Sequence, residues 1–159
     1  MKKLLLLVMA VVMGQSVLAA DKKPLTKEES AKIIEATIRK VAKKPTGDLT
    51  KADYEKLNYL MRIDDNKLTS VKGLEKLTQL TWLGLPDNKL TSVKGLEKLT
   101  KLESLHLQGN QLTDVKELEN LDQLRSLDLK GNPDLTKAQI DQLQEALPKC
   151  KFFSSDYDR

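Results

Sequence analysis

The 159-residue chain is poor in the residues that build covalent or metal cross-links and in large rings: it has one Cys, one His and one Trp, with three Tyr and two Phe. A single Cys closes no intrachain disulfide, and one Cys with one His cannot form a structural zinc site. At 4% aromatic and 40% apolar residues, the core has to be aliphatic, and Leu dominates it. An excess of one charge is also missing, since 27 basic side chains face 23 acidic ones for a formal +4. That figure falls to +2 without Lys2 and Lys3, and opposite signs alternate through most of the remainder. This balance argues against nucleic-acid or polybasic membrane binding. Long apolar runs are absent as well: the longest, Leu4 to Met13, has ten residues, where a spanning helix needs roughly 20. The length suits one modest domain.

What is present begins with a leader. Lys2-Lys3, the apolar run, then Gly14-Gln15-Ser16 and the small-residue ending Val17-Leu18-Ala19-Ala20 read as a secretory signal peptide over residues 1–19. A lipid-anchored product would need a Cys at the cleavage point, and the only Cys is Cys150. The expected product is a soluble protein in the periplasm or outside the cell, with no membrane span after cleavage.

A repeat follows at a period of 22, as Lys67 to Asn88, Lys89 to Asn110 and Gln111 to Asn132. The first two copies agree at 16 of 22 positions and the second and third at 13, which marks duplication. The shared frame is Leu77, Leu80, Leu83, Leu85, Asn88, Leu90, Val93, Leu96, and again Leu99, Leu102, Leu105, Leu107, Asn110, Leu112, Val115, Leu118. This is the leucine-rich-repeat pattern. Leu83 and Leu85 stand two apart, as on a strand with one buried face, and the other apolar positions step by three around a coil. No coil can bury these residues alone, whereas stacked coils can. Asn66, Asn88, Asn110 and Asn132 are then expected to form an internal column bonding to backbone groups at the bend after each strand.

The flanks read as caps, and repeat arrays need such atypical ends to seal their cores. Residues 25–66 form a helical N-terminal cap and a degenerate first repeat. A capping box at Thr26 and Glu29 opens a helix whose apolar face is Ala31, Ile34, Ile38 and Val41, and a second short helix begins at Thr50 with Asp53. The first strand is expected over Leu60 to Asp64, with Met61 and Ile63 inward. Residues 67–132 are the three repeats. Residues 133–153 hold a helix opened by Thr136 and Gln139 and stopped by Pro148, then a closing strand with Cys150 and Phe152 in the places of Leu127 and Leu129. Residues 154–159 are a tail.

The 22-residue frame, the entry through Lys44-Pro45-Thr46-Gly47-Asp48-Leu49-Thr50 and the ending Ala146-Leu147-Pro148-Lys149-Cys150 resemble the internalin-type bacterial leucine-rich repeats. The resemblance implies an α/β solenoid: about five parallel strands on a concave face, short 3₁₀ turns on the convex face, and a protein-binding role. It names no ligand.

Outward positions on the strands are expected to fall into three columns: Leu60, Trp82, Ser104, Ser126, Lys149; Arg62, Gly84, His106, Asp128, Lys151; and Asp64, Pro86, Gln108, Lys130, Phe153. The first two copies differ at six positions, five of them from Thr81 to Asp87. A varied face on a fixed frame produces this pattern, and so does loose constraint on exposed residues. Arg62, Asp64, Trp82, His106, Gln108, Asp128 and Lys130 are the candidate ligand-binding residues, with Trp82 as anchor beside the room left by Gly84. A protein or peptide is the expected partner, with no cofactor. The face, roughly 19 by 17 Å or ~320 Å² in projection, is small beside the ~800 Å² per partner of a standard interface. It therefore suits a peptide or a modest affinity unless the rims or weak self-association extend it. A structural or envelope-associated assembly role without a discrete ligand is the alternative.

Two chemical readings are weaker. Ser104, His106 and Asp128 share a face and compose a hydrolase set, but Ser104 and His106 are expected to stand roughly 6.5 Å apart along the strand, and a paired sheet has no spare amides for an oxyanion. Catalysis is not expected. Asp64-Asp65-Asn66 and Asp87-Asn88 place oxygen ligands at bends, although bends favour Asp and Asn in any case.

Overall fold

A computed structural model describes residues 23–60, 63 and 67–154; the leader expected over residues 1–19 lies outside them. Helix α1 (Lys27–Val41) and helix α2 (Lys51–Glu55) precede five strands: β1 (Tyr59–Leu60), β2 (Trp82–Gly84), β3 (Ser104–His106), β4 (Ser126–Asp128) and β5 (Lys151–Phe153). Helix α3 (Lys137–Ala146) lies between β4 and β5. The strands form one parallel sheet in sequence order. Between them the chain returns through 3₁₀ turns at Leu74–Lys76, Leu96–Lys98 and Lys116–Leu118.

Each coil contributes the same inward set. Leu77, Leu80, Leu83, Leu85, Leu90, Val93 and Leu96, with their counterparts from Leu99 to Leu118, stack into one aliphatic core. The bends are held by the asparagines. Asn110 accepts the Leu90 N–H at 3.1 Å and donates to the carbonyls of Leu85 and Leu107, each at 2.9 Å. Asn88 and Asn132 repeat the pattern on Leu68, Ile63 and Pro86, and on Leu112, Leu107 and Leu129. Asn66 lies outside the described residues.

The third coil departs from the first two for a backbone reason. Gly73 and Gly95 enter their turns at φ 107° and 110°, a conformation that side chains rarely adopt. The corresponding residue is Glu117, and the 3₁₀ turn there starts earlier, at Lys116. Its N–H is taken by Asp114 Oδ1 at 2.9 Å, where Ser70 and Ser92 serve Lys72 and Lys94. The acidic stripe is tied down too, since the Glu75 carboxylate accepts the Gly73 N–H at 2.6 Å.

All three expected capping boxes are present, at Thr26–Glu29, Thr50–Asp53 and Thr136–Gln139. The buried face of α1 differs from expectation: Ser30, Ile34 and Ile38 are buried, whereas Val41 is 45% exposed. Ser30 turns inward because its hydroxyl accepts the Thr69 N–H at 3.1 Å, docking the cap on the first coil.

Two register expectations are corrected. Tyr59 pairs with Trp82 and Leu60 with Leu83, so Leu60, 1% exposed, is the inward residue and Tyr59 the outward one. Ile63 does fill the Leu85 place, giving its N–H to Gly84 as Leu85 does to His106. At the other end Phe152, not Cys150, pairs with Leu127, so Lys151 and Phe153 join the columns of Ser126 and Asp128. Cys150 is buried at the preceding bend. It bonds back to Leu147 as Leu124 does to Leu121. The cause is α3: a helix advances ~1.5 Å per residue against ~3.3 Å for a strand, so more residues are needed to return to the sheet. Ser154, expected in the tail, is buried.

Two outcomes follow. Asn110→Ala strands the buried Leu90 N–H and Leu85 carbonyl, and should lower unfolding free energy by about 3 kcal/mol, at 1–3 kcal/mol per orphaned group; urea denaturation showing a loss below ~1 kcal/mol would contradict the column's role. Lys44 beside Asp53, with the Thr50 amide and hydroxyl, holds the Asp53 carboxyl well below its ordinary 3.8. A depressed folded value stabilises above the ordinary value and is lost as pH falls through it. Asp53→Ala should therefore lower Tm at neutral pH, with the gap to wild type closing in acid; a pH-independent gap would show that the charge is irrelevant.

Candidate functional site

The sheet places outward side chains at fixed intervals because every strand is pinned by the ladder below it. Its first column is Tyr59, Trp82, Ser104, Ser126 and Lys151, and its second holds Gly84, His106, Asp128 and Phe153. Pro86, Gln108 and Lys130 continue the three central strands. Their succession is fixed by bonds from Asp87 N–H to Gln108 and from Gly109 N–H to Lys130. Arg62 and Asp64 lie outside the described residues.

Three rings form a continuous row. Tyr59 stacks on Trp82 with centroids 4.8 Å apart, and His106 tilts against the other side of this group, 5.0 Å from the indole centroid. Offset ring pairs at such distances add about 0.5–1.5 kcal/mol beyond area burial. The row is therefore a preset surface. Tyr59 is 46% exposed and Trp82 half-buried. The room expected beside the indole is taken, because Gly84 is buried and its partner across the ladder, His106, leans on Trp82.

At the other end Phe153 has the Lys151 and Lys130 ammonium groups 4.9 and 6.0 Å from its centroid. Asp128 Oδ1 accepts the Lys130 N–H at 3.0 Å. Gln108 is half-buried, and its Oε1 is buried without a hydrogen-bond partner among the described residues.

Ser104 Oγ and His106 Nε2 are 3.1 Å apart, so the side chains lean together where the strand spacing predicted separation. Hydrogen-bond reach is one requirement of a nucleophile and its base. The others are unmet on this face. The neighbouring amides of Ser104, Leu85 and Leu107 are spent on Thr81, His106 and Asp128 carbonyls, leaving none of them to stabilise an oxyanion. The bond's evident effect is to fix the imidazole against Trp82. The Asn88 amide, suggested as a calcium ligand, is committed to backbone groups. No trio of His, Cys, Asp or Glu suited to a metal occurs among the described residues.

Sequence reasoning located Trp82, His106, Gln108, Asp128 and Lys130 on this face, but missed Tyr59 and misplaced Lys151 and Phe153. A signal for Tyr59 was available. Leu57 and Leu60 stand three apart, as do Leu80 and Leu83, and Leu57 bonds back to Tyr54 as Leu80 does to Leu77.

This geometry defines a class, the parallel leucine-rich-repeat solenoid with helical caps. The family model for leucine rich repeats (two copies) matches residues 78–120 and 100–145. A solved internalin (InlF) of Listeria monocytogenes is similar over 76% of this chain, with 28% identity and a TM-score of 0.66. Internalin C2 of the same organism is similar over 76%, with 26% identity and a TM-score of 0.66. A leucine-rich-repeat protein of Leptospira interrogans is similar over 66%, with 30% identity and a TM-score of 0.52. The chain spans 35%, 52% and 28% of those three structures. A comparison with curated proteins gives no match. The chain is an internalin-like leucine-rich-repeat protein.

Burial pushes the Cys150 thiol up to about 11, against the smaller opposing pull of Arg125. At neutral pH it is a protonated, buried group rather than a nucleophile. A thiol reagent should label Cys150 far more slowly in native buffer than in denaturant, and equal rates would refute its burial.

Proposed function

We propose that this protein is a secreted, non-catalytic binding module that recognises a protein or peptide through the concave sheet. The first 19 residues have the make-up of a signal peptide; among the described residues no helix is long and apolar enough to cross a membrane. In this reading residues 25–66 and 133–153 seal the ends of the array, and residues 67–132 carry most of the face.

One observation carries the proposal: the row of Tyr59, Trp82 and His106 on the outward side of a rigid sheet. Rings left at a surface, already ordered and partly desolvated by one another, give contact area with little further loss of side-chain freedom. Trp and Tyr are correspondingly enriched among residues that dominate binding energy. Gln108, Asp128 and Lys130 surround the row as polar groups that fix orientation, with Tyr59, Lys151 and Phe153 added to the expected set. The Ser104–His106 contact keeps a hydrolase reading testable, as turnover of a simple ester abolished by Ser104→Ala; the occupied amides argue against it.

Trp82→Ala should weaken binding of a partner captured by crosslinking at least about tenfold, the lower range for a dominant interface aromatic, with Tm nearly unchanged because the ring contributes to the face rather than the leucine core. Unchanged affinity would rule out this site.

A further inference from the structure

The outward face changes character along the array. Tyr59 and Trp82 give aromatic surface at β1 and β2, while cations gather at β5. Lys130 and Lys151 flank the Phe153 ring, and exposed Arg125 and Lys149 lead into β4 and β5. The acids beside these strands are Asp122 and Asp128, the second with an oxygen committed to the Lys130 amide. Between the two ends, β3 and β4 present the short side chains Ser104 and Ser126. The face is thus a shallow trough with a ring at either side. Strands ~4.8 Å apart put β1 and β5 about 19 Å from each other, the length of roughly six extended residues.

We infer that the partner is a short extended segment crossing the strands, with an aromatic or aliphatic side chain at the β1–β2 end and one or more carboxylates at the β5 end. The inference rests on the concave-face reading above and adds to it charge and direction. Exposed ammonium groups hold a carboxylate weakly. The rings therefore supply most of the affinity, and the lysines select sign and orientation.

Random hexapeptides displayed on phage and selected on the purified protein test this, with fluorescence of Trp82, the sole Trp, reading the site directly for the synthesised winners. Enriched peptides should carry Asp or Glu several positions from an aromatic or aliphatic residue. Lys151→Glu, at an exposed position, should weaken them about tenfold and favour basic peptides instead, while Trp82→Ala should weaken them whatever their charge. Peptides that need Trp82 but show no acidic preference, or ignore Lys151→Glu, overturn the polarity and leave the concave-face reading standing. Peptides indifferent to both substitutions, or no enrichment over bare resin, overturn both.

Discussion

Everything in this fold depends on the bends that follow the strands, where a buried backbone must find partners away from water. One asparagine per coil meets that demand. Its oxygen takes an N–H from the next residue frame, and its nitrogen spans the carbonyl of its own strand and that of the coil before it. A buried amide satisfied on all sides both ties coils together and fixes their spacing. The leucines add the larger free energy, but they are non-directional and would accept other registers. The asparagines do not.

That division explains why the centre of the molecule was legible in its sequence and the ends were less so. From Lys67 to Asn132 the apolar frame and the asparagine are redundant signals, and they place each inward and outward residue correctly. At Leu60 only the apolar signal was used, and Met61 satisfied it as well as Leu60 did. What decides between them is the outward neighbour: with Leu60 inward, Tyr59 meets Trp82. Beyond Asn132 the ladder ends, and the return path is a helix whose rise per residue differs from that of the coils. Counting residues there misplaced Cys150, Lys151 and Phe153, although the capping boxes that delimit the helix were readable because they are local.

The site was legible as a face but not as a set of contacts. Alternation alone shows which residues point outward, and it put Trp82, His106, Asp128 and Lys130 together. It gives no information on how side chains lean. Ser104 and His106 meet although their strand positions suggest separation, and Gly84 is covered although a missing side chain suggests space.

The duplicated coils also show why a varied face need not be wholly the work of a ligand. Stacking two identical coils sets every residue beside its own copy, which suits Leu on Leu or Asn on Asn and little else. At positions 79 and 101, like residues would place lysine against lysine; Gln79 instead accepts from Lys101 Nζ at 2.6 Å. At 87 and 109, the Asp87 carboxylate occupies the space a side chain on Gly109 would need. Trp82 faces Ser104 directly, and its ring reaches His106, the neighbour of Gly84. Several of the six differences between the copies thus fit one another, large against small and donor against acceptor. Internal complementarity made the aromatic row rigid, and rigidity is what a recognition surface of this small size needs: with little area to cover, its affinity depends on side chains that lose no freedom when a partner arrives.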